Sequence, residues 1–323
     1  MITVGRANCK RRAANAAGFT LIEIAVVIVV LSLLLAMIAG LGTAMVGSQR
    51  REATRQRLAG VETAIALFVS QHKRLPCPAN GTLAGTDANA GKESPDPPTG
   101  VCTGSQANGV VPWRALGLGE QDVTDGWGNR LTYRAAPDYV VADSMNFTAC
   151  SPGGTALTPS ATLVDGAGVT VVAGGACANT CTTSASYPGS CTPPEYAISG
   201  RGLQVKSVNG TSVMTPSRCR APPLACNHSP PIGYAPSTGA AYVVVSHGEN
   251  YRGAYNNQGV LQAASGPDWG TEEAKHSAAD ALATYYVDDF PAYVAGNDHF
   301  DDFVLRPSIL TVATKAQLGP RAR

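Results

Sequence analysis

Charge is what this sequence has least of: Asp, Glu, Lys and Arg make up only 15% of its 323 residues, and the formal net charge is +1. A balance so sparse and even excludes the broad basic or acidic field that binding to nucleic acid or another polyanion requires. Aromatic side chains are also few, at 6%, so any core must be built mainly from aliphatic residues. Proline is absent from Phe19 through Leu75 although the chain has 22 of them, which leaves that stretch free to run as one helix. Catalytic motifs are missing as well. There is no G-x-S-x-G turn and no H-E-x-x-H, and His72, His228, His247, His276 and His299 are scattered without ligand spacing. Gly85 to Ser94 falls short of a phosphate-binding loop: five residues rather than four separate Gly85 from Gly91, and Glu93 stands where a magnesium-binding hydroxyl belongs. The chain is therefore expected not to be an enzyme.

What is present begins at the N-terminus. Arg6, Lys10, Arg11 and Arg12 precede Gly18 with no acid among them, and between Arg12 and Arg50 the only charged side chain is Glu23. Ile24 to Ile38 is aliphatic apart from Ser32. With its apolar flanks, at about 19–42, this run is long enough to span a bilayer, and the basic residues before it put the N-terminus in the cytoplasm. A secretory signal would place small residues after its apolar region, whereas Ala16, Ala17 and Gly18 lie before it. A carboxylate inside such a run is costly unless it has a partner or reaches the headgroups.

Gly18, Phe19, Thr20, Leu21, Ile22 and Glu23, behind a basic leader, resemble the signature of the type IV pilin-like proteins, which include type IV pilins and the pseudopilins of type II secretion. The resemblance implies a leader over 1–18, cleavage between Gly18 and Phe19 by a prepilin peptidase, and methylation of Phe19. It also implies that Glu23 pairs with the terminal amine of a neighbouring subunit, which would make the acid a register device for assembly. Further implied partners are other pilin or pseudopilin subunits and an inner-membrane assembly platform. The expected location is the inner membrane, single-pass with the head in the periplasm, followed by a filament.

Beyond the apolar run, Leu58, Val61, Ile65, Phe68 and Val69 recur at three- and four-residue steps and predict an amphipathic continuation of the helix to about residue 75, stopped by Pro76 and Pro78. Residues 76–323 are then the head. Within it, Asp125 to Asn129 reads as a turn before a strand at Leu131–Tyr133, and this turn resembles one in the major pseudopilin. Trp113 and Trp127 are expected to anchor a core. Thr162–Asp165 and Val169–Ala173 predict a hairpin, and Ala241–Val245 a strong strand. The fold class expected is α+β, a long transmembrane and amphipathic helix on a small antiparallel sheet.

Cys77, Cys102, Cys150, Cys177, Cys181, Cys191, Cys219 and Cys226 lie among Gly-, Pro- and Ser-rich loops and read as disulfides, with roughly a hundred connectivities open. Pseudopilins hold calcium between a glycine-rich loop and an acidic segment before the last strand. The resemblance offers Glu249, Asp298, Asp301 and Asp302 as ligands here, against the alternative that these acids cap turn amides. A minor pilin or pseudopilin is the function expected. A tip adhesin and a membrane-anchored periplasmic enzyme are the alternatives.

Overall fold

The computed structural model describes residues 20–95, 107–142, 144–145, 162–164, 170–172, 201–216, 238–263, 266, 268–280, 283–294 and 296–318, with backbone only at 38–44, 162–164 and 170–172. Gly18, Phe19 and every cysteine except Cys77 lie outside these residues. The proline-free stretch forms α1 (Leu21–His72). Two compact units, Met1–Gln49 and Arg50–Arg323, meet within that helix.

In the first unit the described apolar side chains of α1 are exposed. Leu21 is 88% exposed, and Ile22, Val27, Leu31, Leu35 and Met37 are likewise open. Among the described residues no helix is long and apolar enough to cross a membrane. The expected span, about 19–42, extends past the described side chains at both ends.

In the second unit the amphipathic half of α1 behaves as its periodicity predicts. Leu58, Val61, Ile65 and Val69 are buried in the main core, where each contributes about 1.5–3 kcal/mol by leaving water. The helix stops ahead of the prolines. Lys73 adopts a left-handed conformation (φ 54°), and its amide still bonds the Val69 carbonyl at 2.9 Å, an αL helix end that a lysine fills in place of the usual glycine. Arg74 then clamps Glu93 with two bonds of 2.6 and 2.9 Å, and Glu93 also accepts from the Cys77 amide. Cys77 is buried and disulfide-bonded.

The main sheet is built from β1 (Ala79–Asn80), β2 (Gly109–Val110), β3 (Thr132–Ala135), β8 (Tyr242–Ser246) and β10 (Phe303–Leu305) in the order β1-β2-β3-β8-β10, all antiparallel. Its centre pairs Thr132 with Val245 and Tyr133 with Val244. Because side chains alternate along a strand, Tyr133, Tyr242, Val244 and Phe303 share one face while Thr132, Arg134, Val243 and Val245 share the other. The first face meets α1: the Arg55 guanidinium lies 5.6 Å over the Phe303 ring. The second is covered by the chain between Asn250 and Asp302 and carries a buried polar layer.

The Asp125–Asn129 turn docks on α1. Thr54 Oγ1 accepts from the Gly126 amide at 2.9 Å, and Arg57 donates to the carbonyls of Thr124 and Asp125. A side chain at 126 would meet the Arg50 carbonyl oxygen at 2.3 Å, so the close approach requires glycine there. Trp113 is buried in the core, while Trp127 is only partly covered and packs beside Phe303. The expected hairpin forms as β4 (Thr162–Val164) and β5 (Thr170–Val172). One departure concerns strand direction. A second sheet joins β7 (Ser212–Met214), β6 (Val205–Lys206) and β9 (Tyr286–Val287), and its β6–β9 pair is parallel. The head is α+β, but its strands are not all antiparallel. A short helix, α2 (Ile309–Lys315), capped by Ser308 Oγ on the Thr311 amide, ends the described chain.

Candidate functional site

Two places in the chain put an acid where its surroundings need explaining. The first is the start of α1. Thr20 Oγ1 accepts from the Glu23 amide at 3.3 Å, while Glu23 Oε2 accepts from the Thr20 amide at 2.8 Å and from its hydroxyl at 2.9 Å. This is a capping box, in which the N-cap residue and the third residue of the helix satisfy each other's free amides. The T-x-x-E spacing at Thr20–Glu23 announces it, and the sequence reading passed over that signal in favour of the charge. The carboxylate is thereby turned back toward the helix N-terminus, the end at which cleavage after Gly18 would create an ammonium.

The second place is a set of buried polar side chains around the end of β8 and the approach to β10. His299 and Asp301 lie two residues apart in the extended approach to β10 and point to one side, while Phe300 and Asp302 point to the other. Glu273 and His276 open and close a single 3-10 turn, and both are buried. Two clusters result.

In one, His276 Nδ1 lies 2.5 Å from Asp302 Oδ2, and His276 Nε2 accepts from the Val287 amide at 3.0 Å. That amide fixes the tautomer: the proton sits on Nδ1 and is donated to Asp302. Burial lowers the His276 pKa to about 4 and raises that of Asp302 well above the carboxylate range, with the Asp301 charge adding to the latter. Both shifts favour neutral partners. His247 bonds Thr132 Oγ1 through Nε2 at 2.7 Å, and burial first and His276 second lower its pKa to about 3.

In the other cluster, ligand-capable atoms of Glu273, His299 and Asp301 lie within 4.8 Å of one another, and all three residues are buried. His299 Nδ1 is 3.0 Å from Glu273 Oε2 and 4.0 Å from Asp301 Oδ1. Asn250 Oδ1 accepts from the Arg252 amide at 3.0 Å, which orients its amide so that Nδ2 donates to Glu273 and to the Asp268 carbonyl. Asp301 Oδ2 accepts from the amides of Glu249 and Asn250 at 2.6 and 3.1 Å. Gly248 (φ 58°) makes this approach possible, since a Cβ there would meet the Asp301 carbonyl oxygen at 2.4 Å. Asp301 Oδ1 has no hydrogen-bond partner. Burial, and then Glu273, push the Asp301 pKa up to about 7; burial, and then Asp302, raise that of Glu273.

The loop after β8 and the acidic segment before β10 thus meet, but the four expected ligands do not share one site. Asp301 joins Glu273 and His299, and Asp302 pairs with His276. The Glu249 side chain is exposed and faces Arg51 at 3.7 Å, and Asp298 is exposed. Asp301 caps turn amides with one oxygen, as the alternative reading holds. Two carboxylates and an imidazole fall short of the roughly six to eight oxygens calcium takes, so the set does not fit calcium. His247, His276 and His299, scattered in sequence without ligand spacing, are all buried. No spacing signalled this, because Glu273 and His299 come from separate loops.

The fold and these sites define an α+β protein with an exposed apolar N-terminal helix capped by a Thr–Glu box. Residues 13–39 match the family model for the prokaryotic N-terminal methylation motif. The chain therefore carries the N-terminus of a type IV pilin-like, prepilin-type protein. No curated protein and no solved structure matches it.

Proposed function

We propose that the chain is a non-catalytic minor subunit, a minor pilin or pseudopilin, of a type IV pilus or type II secretion filament. Its leader is cut after Gly18 by a prepilin peptidase and Phe19 is methylated. The apolar half of α1 holds the subunit in the inner membrane with its head in the periplasm, then enters a filament through contacts with other subunits and the assembly platform. The loops carrying the remaining cysteines are closed by disulfides. The observation that carries this reading is the exposed apolar run, Leu21 to Met37, which begins inside the Thr20–Glu23 box within the methylation motif. An apolar surface so continuous requires lipid or other helices to cover it. Each copy's Glu23 would exchange its bond to Thr20 for the amine of a neighbour, a contact strengthened in a low-dielectric bundle.

The test is mass spectrometry of sheared surface filaments and of inner membranes, from cells expressing the wild-type chain or Glu23→Ala. The expected peptide begins at methylated Phe19 in both chains. Glu23→Ala should lower the amount of chain in the filament fraction by about a hundredfold or more, as loss of one buried charge pair predicts, without lowering the amount in the membrane. An uncut Gly18–Phe19 bond, or normal incorporation of the variant, would refute the proposal.

A further inference from the structure

The Glu273–His299–Asp301 cluster has a donor set at odds with calcium, and the disagreement points to a different ion. Its three side chains come from two separated loops, and the Asn250 amide and the glycine turn at 248 hold two of them in place. One ligand-capable atom, Asp301 Oδ1, is left without a partner on a residue only 2% exposed, and it lies 4.0 Å from His299 Nδ1. An unpaired carboxylate oxygen in such a place costs free energy unless something positive meets it. No Lys or Arg does so among the described residues: Arg306, the basic side chain nearest to Asp301 in sequence, is bonded to Asp288.

We propose that Glu273, His299 and Asp301 form a binding site for a borderline divalent cation of the zinc class, distinct from any all-oxygen calcium site and independent of the filament reading. An imidazole with two carboxylates is a donor set that zinc accepts and that magnesium and calcium do not favour. The spacing agrees. Zinc bonded at about 2 Å to N and O ligands holds its donor atoms about 3.3 Å apart in a tetrahedron. The two separations at His299 Nδ1, 3.0 and 4.0 Å, lie on either side of that value. Binding requires a shift of the imidazole proton from Nδ1 to Nε2, which frees the Nδ1 lone pair, and loss of any carboxyl proton, so binding releases protons to solvent. Asp301 keeps its second oxygen on the amides of Glu249 and Asn250, which serve to orient the ligand.

The experiment uses the full chain in detergent, stripped with chelator and then given zinc, calcium or magnesium chloride. At zinc about one hundred times its Kd, the melting temperature should rise by about 5–10 °C, with one zinc per chain by calorimetry and a smaller response to calcium. His299→Gln and Asp301→Asn should each lose the zinc response. An unchanged response in both variants, a larger shift with calcium, or no zinc shift in the wild type would overturn the proposal. Cobalt(II) added to the wild type gives a measurement that needs no variant to fold. A visible ligand-field band that zinc abolishes is expected, and the spectrum of the free ion alone would overturn the assignment.

Discussion

In one region of this molecule apolar side chains stand in the open; in another, charged and polar side chains are sealed inside. From Leu21 to Met37 the described side chains of α1 are aliphatic and exposed, and the one acid at their start is satisfied locally by Thr20. In the head, Arg130, Arg134, His247, Glu273, His276, Asp301 and Asp302 are buried. The usual arrangement, apolar inside and polar outside, is inverted twice. The two inversions differ in kind. The exposed run has no remedy among the described residues, where its apolar side chains stand open. The buried layer is remedied almost completely from within. Arg134 donates to the carbonyls of Gly109, Tyr133, Ser277, Ala278 and Asp280 at 2.8 to 3.2 Å, and Arg130 binds Glu120 and the carbonyls of Gly81, Leu83 and Asn257. Its unpaired atoms are few, and two of them, Asp301 Oδ1 and Asp302 Oδ1, are carboxylate oxygens.

The most severe way to break this contrast is to remove the charge that the buried layer holds best. Arg134→Met keeps much of the side-chain volume but strips five carbonyls of a donor, and should cost about 3–5 kcal/mol. The check is the urea midpoint of the detergent-solubilised chain at constant m-value. A loss below about 1 kcal/mol would mean that the polar layer is tolerated and does not hold the head together.

A second, smaller effect depends on pH. His247 has a folded pKa of about 3 against an ordinary value of 6.5. The unfolded chain therefore binds a proton that the folded chain refuses across that window, and the stability His247 contributes is complete above about pH 6.5 and is lost as pH falls toward 3. Asp302, whose folded pKa is raised, works in the opposite sense, so the difference between variant and wild type is the informative quantity. Between pH 6.5 and 4, His247→Gln should lose about 3 kcal/mol less stability than the wild type. Parallel stability curves for the two proteins would show that His247 is protonated in the folded state, against its buried setting.

The exposed region was far more legible in the sequence than the buried one. An aliphatic run with one acid and no proline declares itself locally, and the stripe Leu58, Val61, Ile65, Val69 does so by period. The Asp125–Asn129 turn and β8 were readable for the same reason: each is a short local pattern of glycine or β-branched residues. The parallel β6–β9 pair was not, because two-residue strands have no periodicity to read. Nor was Glu273. It stands beside Glu272 in the sequence, and only burial separates the two: Glu272 pairs with Lys275 near the surface, while Glu273 meets His299 inside. The left-handed turn at Lys73 was not readable, because the prolines after it already supplied a stop and no glycine marks the helix end.

The mildest test sharpens the comparison by making one substitution in both regions. Val30 and Val243 carry the same side chain, about half exposed in the first case and fully buried in β8 in the second. Val243→Ser removes apolar volume from the centre of the main sheet and leaves a hydroxyl there to be satisfied, and should cost about 2 kcal/mol or more. Val30→Ser removes the same atoms from a surface that the monomer does not bury, and should change the thermal stability of the head by less than about 0.5 kcal/mol. Its consequence belongs to whatever covers the run, and should be read as weaker retention in lipid vesicles. If Val30→Ser lowered the melting temperature of the head as much as Val243→Ser, the apolar run would be part of the head's own core, and its exposure would no longer call for lipid or for a second copy of the chain.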